Sequence, residues 1–271
     1  MGLEESLEVA ARTDAGMVRS HNEDSISVDA ACGLMVLADG MGGYNAGEVA
    51  SGIAVSVMMA EMTPLLKGET GQLSDGAQAV SLLADSVQKA NAAIYQAARG
   101  DEQYAGMGTT VVSALFFDNR VAVAHVGDSR LYRLRGGMLE AITRDHSLLQ
   151  EQIDCGMISA EDARHSQNRN LVTRAVGIDA ELEAEIHLHD VLVGDIYLLC
   201  SDGLNDMLED DDIQLILHAM QGNLDLAAEQ LIQSANDSGG KDNVSVILVK
   251  VKREFATPRK RLTKLFNWLK K

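Results

Sequence analysis

Four aspartates stand at the ends of apolar runs of strand length. Asp39 closes Leu34-Met35-Val36-Leu37-Ala38 and opens the turn Gly40-Met41-Gly42-Gly43. Asp128 lies just beyond residues 121–126, Asp202 just beyond 196–200, and Asp242 just ahead of 244–251. A single Asp-Gly is only a turn signal; its recurrence at strand ends asks for more. Strands buried on both faces read as unbroken apolar runs, so acids at their ends collect on one rim of the core. Carboxylates crowded there repel one another unless they are protonated or share a cation. Oxygen ligands suit hard ions such as Mg2+ or Mn2+. A divalent-metal site is the chemistry that this spacing predicts.

No covalent nucleophile accompanies the acids. There is no G-x-x-x-x-G-K-[ST] loop, since Gly239-Gly240-Lys241 runs into Asp242, and no H-E-x-x-H or G-x-S-x-G. The glycines after Asp39 miss G-x-G-x-x-G because Asn45 takes the third position. A metal cluster makes its own nucleophile by lowering the pKa of water. Phosphorus is a common target, because the same ions neutralise its anionic oxygens. A phosphate also calls for a guanidinium fork, and Arg19, ahead of Asn22-Glu23-Asp24, is the candidate. Arg130, beside Asp128, reads as an orienting partner for that acid.

The elements that must position these groups follow from periodicity. Residues 7–11 and 25–29 read as short strands flanking the Arg19–Asp24 loop. A helix is expected over 46–62, opened by a capping box of Asn45 and Glu48 and closed near Pro64. A polar loop over 68–76 leads to a second helix, 74–99, with Val80, Leu83, Val87, Ala90 and Ile94 on one face and Gly100 as its stop. Strands 109–117 and 120–126 make a hairpin across Asp118-Asn119. Strand 130–135 ends at the Gly136-Gly137 turn. Residues 143–177 break the pattern and read as an insertion over one end of a sheet, with a polar stretch from His165 to Asn170. Strands resume at 181–189 and 195–200. Helices carrying Ile213, Ile216, Leu217 and Met220, then Leu224, Ala228, Leu231 and Ala235, precede the last strand. Two sheets face to face with helices outside fit this order.

The chain has 271 residues, enough for one large or two small domains. A net charge of -17 argues against a nucleic-acid-binding body, which would need basic surface. Glu4, Glu5 and Glu8 occupy the region where a signal peptide would be positive. The longest apolar stretch, near 52–60, is roughly half of a membrane span. Cys32, Cys155 and Cys200 are odd in number and widely spaced, which excludes a zinc framework and disfavours disulfides. A cytoplasmic monomer is the expectation.

Taken together, Arg19 to Asp24, Asp39-Gly40-Met41-Gly42-Gly43, Gly108-Thr109-Thr110, Gly127-Asp128-Ser129-Arg130, Ser201-Asp202-Gly203 and Lys241-Asp242-Asn243 resemble the metal-dependent protein phosphatase 2C family, in its bacterial serine/threonine branch. The motifs stand in the family's order across residues 9–251, and Thr143 to Ser147 with residues 169–177 resemble its flap. The resemblance implies an α+β four-layer α-β-β-α sandwich with two central antiparallel sheets. It places a catalytic domain over 1–253, a flap at about 144–177 and a tail over 254–271. It implies that Asp39 bridges two Mn2+ or Mg2+ ions, that Asp202 and Asp242 complete the first ion's ligands, and that the Gly40 carbonyl and water complete the second's. Asp24 would sit in that ion's outer shell. Asp128, with Asp202, would hold a third, weaker ion near the flap. Arg19 would bind the substrate phosphate while a metal-bridging hydroxide attacks in line. Substrates would be phosphoserine and phosphothreonine proteins, in opposition to a serine/threonine kinase.

Met41 stands where many eukaryotic relatives have histidine, and a thioether donates no proton. The general acid is therefore open: water first, then His146 or His165 of the flap. Two other functions share the fold, a regulatory module without turnover and a phosphatase of small metabolites. The first should have lost a ligand aspartate, and none is missing. Beyond Thr257-Pro258 the chain turns strongly basic, with Leu262, Leu265, Phe266 and Leu269 at helical spacing. Such a segment suits an anionic membrane surface, an acidic partner or the acidic body itself.

Overall fold

The computed structural model describes residues 3–43, 46–67, 73, 75–159, 162 and 171–257. Asn45 of the expected capping box, most of the 68–76 loop, His165 to Asn170 and the tail from residue 258 lie outside the described residues.

Alternation along the strands builds the layers. In β3 (Leu34–Met41), Leu34, Val36 and Ala38 pack on one side with helix residues, while Met35 and Leu37 meet the opposite sheet. Successive strand side chains point to opposite faces, so an all-apolar strand is one covered on both. Beside β3 run β2 (Asp24–Asp29) and β5 (Val111–Phe117); β6 (Arg120–Val126) and the edge strand β9 (Glu185–Asp190) complete that sheet, and β4 (Gly108–Thr109) pairs with the end of β3. The second sheet has the order β1 (Leu7–Asp14), β11 (Val244–Val251), β10 (Ile196–Cys200), β7 (Arg130–Arg135), β8 (Met138–Ala141). All the pairings are antiparallel.

Two helices, α2 (Ala46–Lys67) and α3 (Gly76–Gly100), cover the first sheet, after a short α1 (Leu3–Ser6). Following α4 (Leu148–Asp154) and α5 (Asp202–Asn205), helices α6 (Asp210–Met220) and α7 (Leu224–Asp237) cover the second. Between the sheets lies a buried apolar layer containing Met35, Leu37, Phe116, Tyr197, Leu199 and Ile247. The α-β-β-α sandwich is thus present as expected.

Local departures have physical causes. Helix α2 runs past Pro64 to Lys67. Both Pro64 and Ala60, whose carbonyl loses its donor, are exposed, so water replaces the missing bond. The result is a 22-residue helix containing an 18-residue window of mean hydropathy 1.6, long and apolar enough to cross a membrane, where the sequence alone suggests only half a span. In this fold Ala50, Ala54, Met58 and Met62 of α2 are buried in the core instead. The expected strand 109–117 is split at Thr110, and the register is continuous on both sides, Gly40 opposite Thr109 and Leu37 opposite Val112. The strand expected over 181–189 forms only from Glu185. The Asp118-Asn119 turn has φ of 44° and 54°, as a two-residue type I′ hairpin requires.

Candidate active site

The side-chain parity that fills the space between the sheets also aims the acids. Asp39 shares a face with Met35 and Leu37, and Asp24 with Ile26 and Val28, so both project into one open end of that space. Asp128 leaves β6 at the same end, Asp202 opens α5 directly after β10, and Asp242 precedes β11. Asp39, Asp128, Asp202 and Asp242 line one cavity of about 370 Å3 together with Arg19, Gly40 and Met41.

Backbone groups lock this rim. Thr110 interrupts the ladder because its hydroxyl accepts the Asp39 N–H at 3.0 Å, and Thr109 Oγ1 donates to the Asp39 carbonyl at 2.7 Å. Gly40 is forced: a Cβ there would stand 2.1 Å from the Gly47 carbonyl oxygen and 2.6 Å from that of Glu23. No side chain fits where β3 crosses the start of α2. Asn243 ties the loop that carries Arg19, accepting the Glu23 N–H at 2.8 Å and donating to the carbonyls of Ala15 and His21. The motif Lys241-Asp242-Asn243 alone does not reveal this task of Asn243.

Electrostatics show what the rim lacks. Burial, then the charges of Asp24, Asp202, Asp128 and Asp242, hold the Asp39 carboxyl well above its ordinary range. Burial and the neighbouring Asp128, Asp206, Asp242 and Asp24 do the same to Asp202. Asp128 is pushed up to about 6 by burial and Asp145. Asp24 is also raised to about 6, by burial, although hydrogen bonds from Ser245 and Ser201 oppose the shift. Ser201 Oγ donates to Asp24 Oδ2 at 2.8 Å, while Asp24 Oδ1 is buried with no partner. An oxygen-only cage, starved of positive charge and holding an unpartnered buried carboxylate oxygen, fits divalent Mn2+ or Mg2+. Asp39, Asp202, Asp242 and the Gly40 carbonyl could hold such ions.

Arg19 reaches the same cavity and donates to Asp242 Oδ2 at 2.6 Å, which raises its own pKa. Arg130 does not orient Asp128, contrary to the sequence reading. Its guanidinium forks onto both oxygens of Asp145 at 2.9 and 2.7 Å and donates to the Tyr132 hydroxyl at 2.8 Å. Arg130 opens β7 opposite Cys200, and Asp145 is the acid within its reach. His146 is buried rather than facing the cavity: Nδ1 accepts the Gly127 N–H at 3.2 Å and Nε2 lies 3.3 Å from Glu185. Met41 lines the cavity, as its position after Gly40 requires.

The fold and the carboxylate cage define a metal-dependent phosphatase scaffold, and comparison with known proteins gives it a family. The sequence model for protein phosphatase 2C matches residues 17–243. The serine/threonine phosphatase stp of Listeria monocytogenes is 37% identical over 244 residues, covering 88% of this chain and 93% of that protein. The crystal structure of the Mycobacterium tuberculosis serine/threonine phosphatase PstP/Ppp superposes with a TM-score of 0.83 at 38% identity, covering 92% of this chain and 100% of that one. A structure of the PstP catalytic domain in complex with two manganese ions matches with a TM-score of 0.80 at 37% identity, over 92% and 99% of the two chains. The chain belongs to the protein phosphatase 2C family.

Proposed function

We infer that this protein is a metal-dependent serine/threonine protein phosphatase that reverses the work of a serine/threonine kinase. One observation carries the reading: Asp39, Asp128, Asp202 and Asp242, from four distant parts of the chain, converge on one cavity with Arg19. We assign residues 1–253 to the catalytic unit, residues 144–177 to its flap, and Mn2+ or Mg2+ as cofactor, as two ions with a third, weaker one beside Asp128. The protein works as a cytoplasmic monomer without a nucleic-acid partner. Its basic tail suits a contact with a membrane surface or an acidic partner.

The ions, when bound, supply the charge that ionises a water and neutralises the phosphoryl oxygens. The chain's own groups do the rest. Asp39, Asp202, Asp242 and the Gly40 carbonyl, which line one cavity, would hold the ions. Asp24, which accepts a hydrogen bond from Ser201 Oγ, would belong to the outer shell. Arg19 has five N–H donors and spends one on Asp242; the others are available to a phosphate in fork geometry. Among the described residues no histidine or lysine lines the cavity, which favours water over His146 as the proton donor to the leaving serine or threonine oxygen; His165 lies outside the described residues.

The test is hydrolysis of p-nitrophenyl phosphate and of phosphothreonine peptides with Mn2+ and with EDTA. Turnover that requires Mn2+ and vanishes on chelation is expected. A folded protein inactive across a Mn2+ titration would refute the reading, and a strong preference for phosphorylated metabolites over phosphopeptides would redirect it.

A further inference from the structure

A second cavity, of about 890 Å3, opens at the other end of β6 from Asp128, between the Asp118-Asn119 hairpin turn and the loop after β9. Its apolar part is Val191 to Val193, where Leu192 is 54% and Val193 56% exposed. Strand β9 forms the edge of its sheet. Sheet edges and adjacent exposed aliphatic side chains are features that proteins generally cover. Asp118, Asp190 and Glu254 line the cavity against one guanidinium, Arg120, so its rim is acidic.

The chain itself leads to this surface. The Phe255 N–H donates to Asn119 Oδ1 at 2.6 Å and the Thr257 N–H to Asp118 Oδ1 at 2.8 Å. Thr257 Oγ1 donates to the Leu73 carbonyl at 3.1 Å. The described chain therefore stops on the lip of the cavity. Beyond Pro258, the thirteen residues 259–271 hold six Lys and Arg and no acid. Within them Leu262, Leu265, Phe266 and Leu269 recur at the spacing of one helical face.

We propose that residues 259–271 dock on this surface, with the leucine and phenylalanine face over Leu192 and Val193 and the basic side chains toward Asp190 and Glu254. Three hydrogen bonds at residues 255 and 257 fix where the segment starts. A short tether of this kind holds the segment at an effective concentration on the order of millimolar. A free acidic partner or a membrane surface must compete with that. The docked state buries the same leucines that would otherwise insert in a bilayer, so the tail serves its own body or a membrane, not both at once.

Trp268 is the chain's single tryptophan and reports on the segment directly. The experiment compares emission and acrylamide quenching of the full chain with those of Leu192→Asp/Val193→Asp and of Lys264→Glu/Lys270→Glu. Turnover of p-nitrophenyl phosphate confirms that each variant is folded. The intact chain should emit to the blue and resist quenching at every protein concentration. Both variants should shift to the red and quench several-fold more readily. Emission matching that of the chain in concentrated urea, or a blue shift that survives both variants, overturns the proposal. A shift that grows with protein concentration assigns the segment to a second copy instead. One that appears only with phosphatidylserine–phosphatidylcholine vesicles assigns it to a membrane surface.

Discussion

Asp24 and Asp39 are direct cross-strand partners, one on β2 and one on β3. Like charges in that position destabilise an antiparallel pair, so the sheet carries a local conflict where the cavity opens. Removing the charge from one partner should therefore separate function from stability. Asp39→Asn should cut turnover more than about a hundredfold, beyond the usual cost of an outer-shell change. In EDTA the same variant should melt above the parent chain. Calorimetric melts with and without Mn2+ check this; the parent alone should gain from the ion.

The pH dependence of the chelated protein follows from the raised carboxyls. Asp24 and Asp128 titrate near 6 when folded, above the ordinary aspartate value. Between those limits the folded chain holds more protons than the unfolded chain, so stability falls as pH rises through the window. Melts in EDTA should drop by several degrees from about pH 4.5 to about pH 7. Saturating Mn2+ should reverse the slope, because ligand deprotonation accompanies binding.

Arg19 is half exposed and its bond to Asp242 is an exposed ion pair, which contributes little to stability. Arg19→Ala should leave the melting temperature unchanged and raise KM for phosphopeptides by about tenfold or more, the cost of a lost charge-assisted fork. Arg19→Lys should recover only part of it, since an ammonium cannot grip two oxygens at once. Steady-state kinetics on one phosphothreonine peptide separates these outcomes.

Arg130 and Asp145 tie the segment after β8 to β7. Both side chains are largely enclosed, and Tyr132 extends the network to Asp210 at 3.0 Å. Arg130→Met should cost about 3 kcal/mol, because Asp145 is left charged and unpaired. The double variant Arg130→Met/Asp145→Leu should recover much of that. Urea titrations of the two single variants and the double one give the coupling directly.

The strand-end aspartates were legible because a strand buried on both faces keeps out charged side chains until it leaves the core, so Asp39 and Asp202 announce themselves against apolar runs. The layer order was legible for the same reason, from helices with one apolar face placed between such strands. The Arg130–Asp145 pair was not, since fifteen residues and a change of strand separate the partners and the nearer Asp128 competed for the assignment. Asn243 escaped because its bonds run to backbone atoms more than 200 positions away, which no local pattern encodes. Helix α2 was cut short at Pro64 by a rule that holds for covered helix turns and relaxes where water reaches the freed carbonyl.

Gly40 sits where a strand and a helix nearly touch, with no room for even a methyl group. Variation in this enzyme is thereby channelled. Directed evolution toward other phosphoesters can reshape Met41 and Val172, which border the cavity. At residue 40 any enlargement would wedge α2 off its sheet before it altered selectivity. A library built on this scaffold should leave that single codon alone.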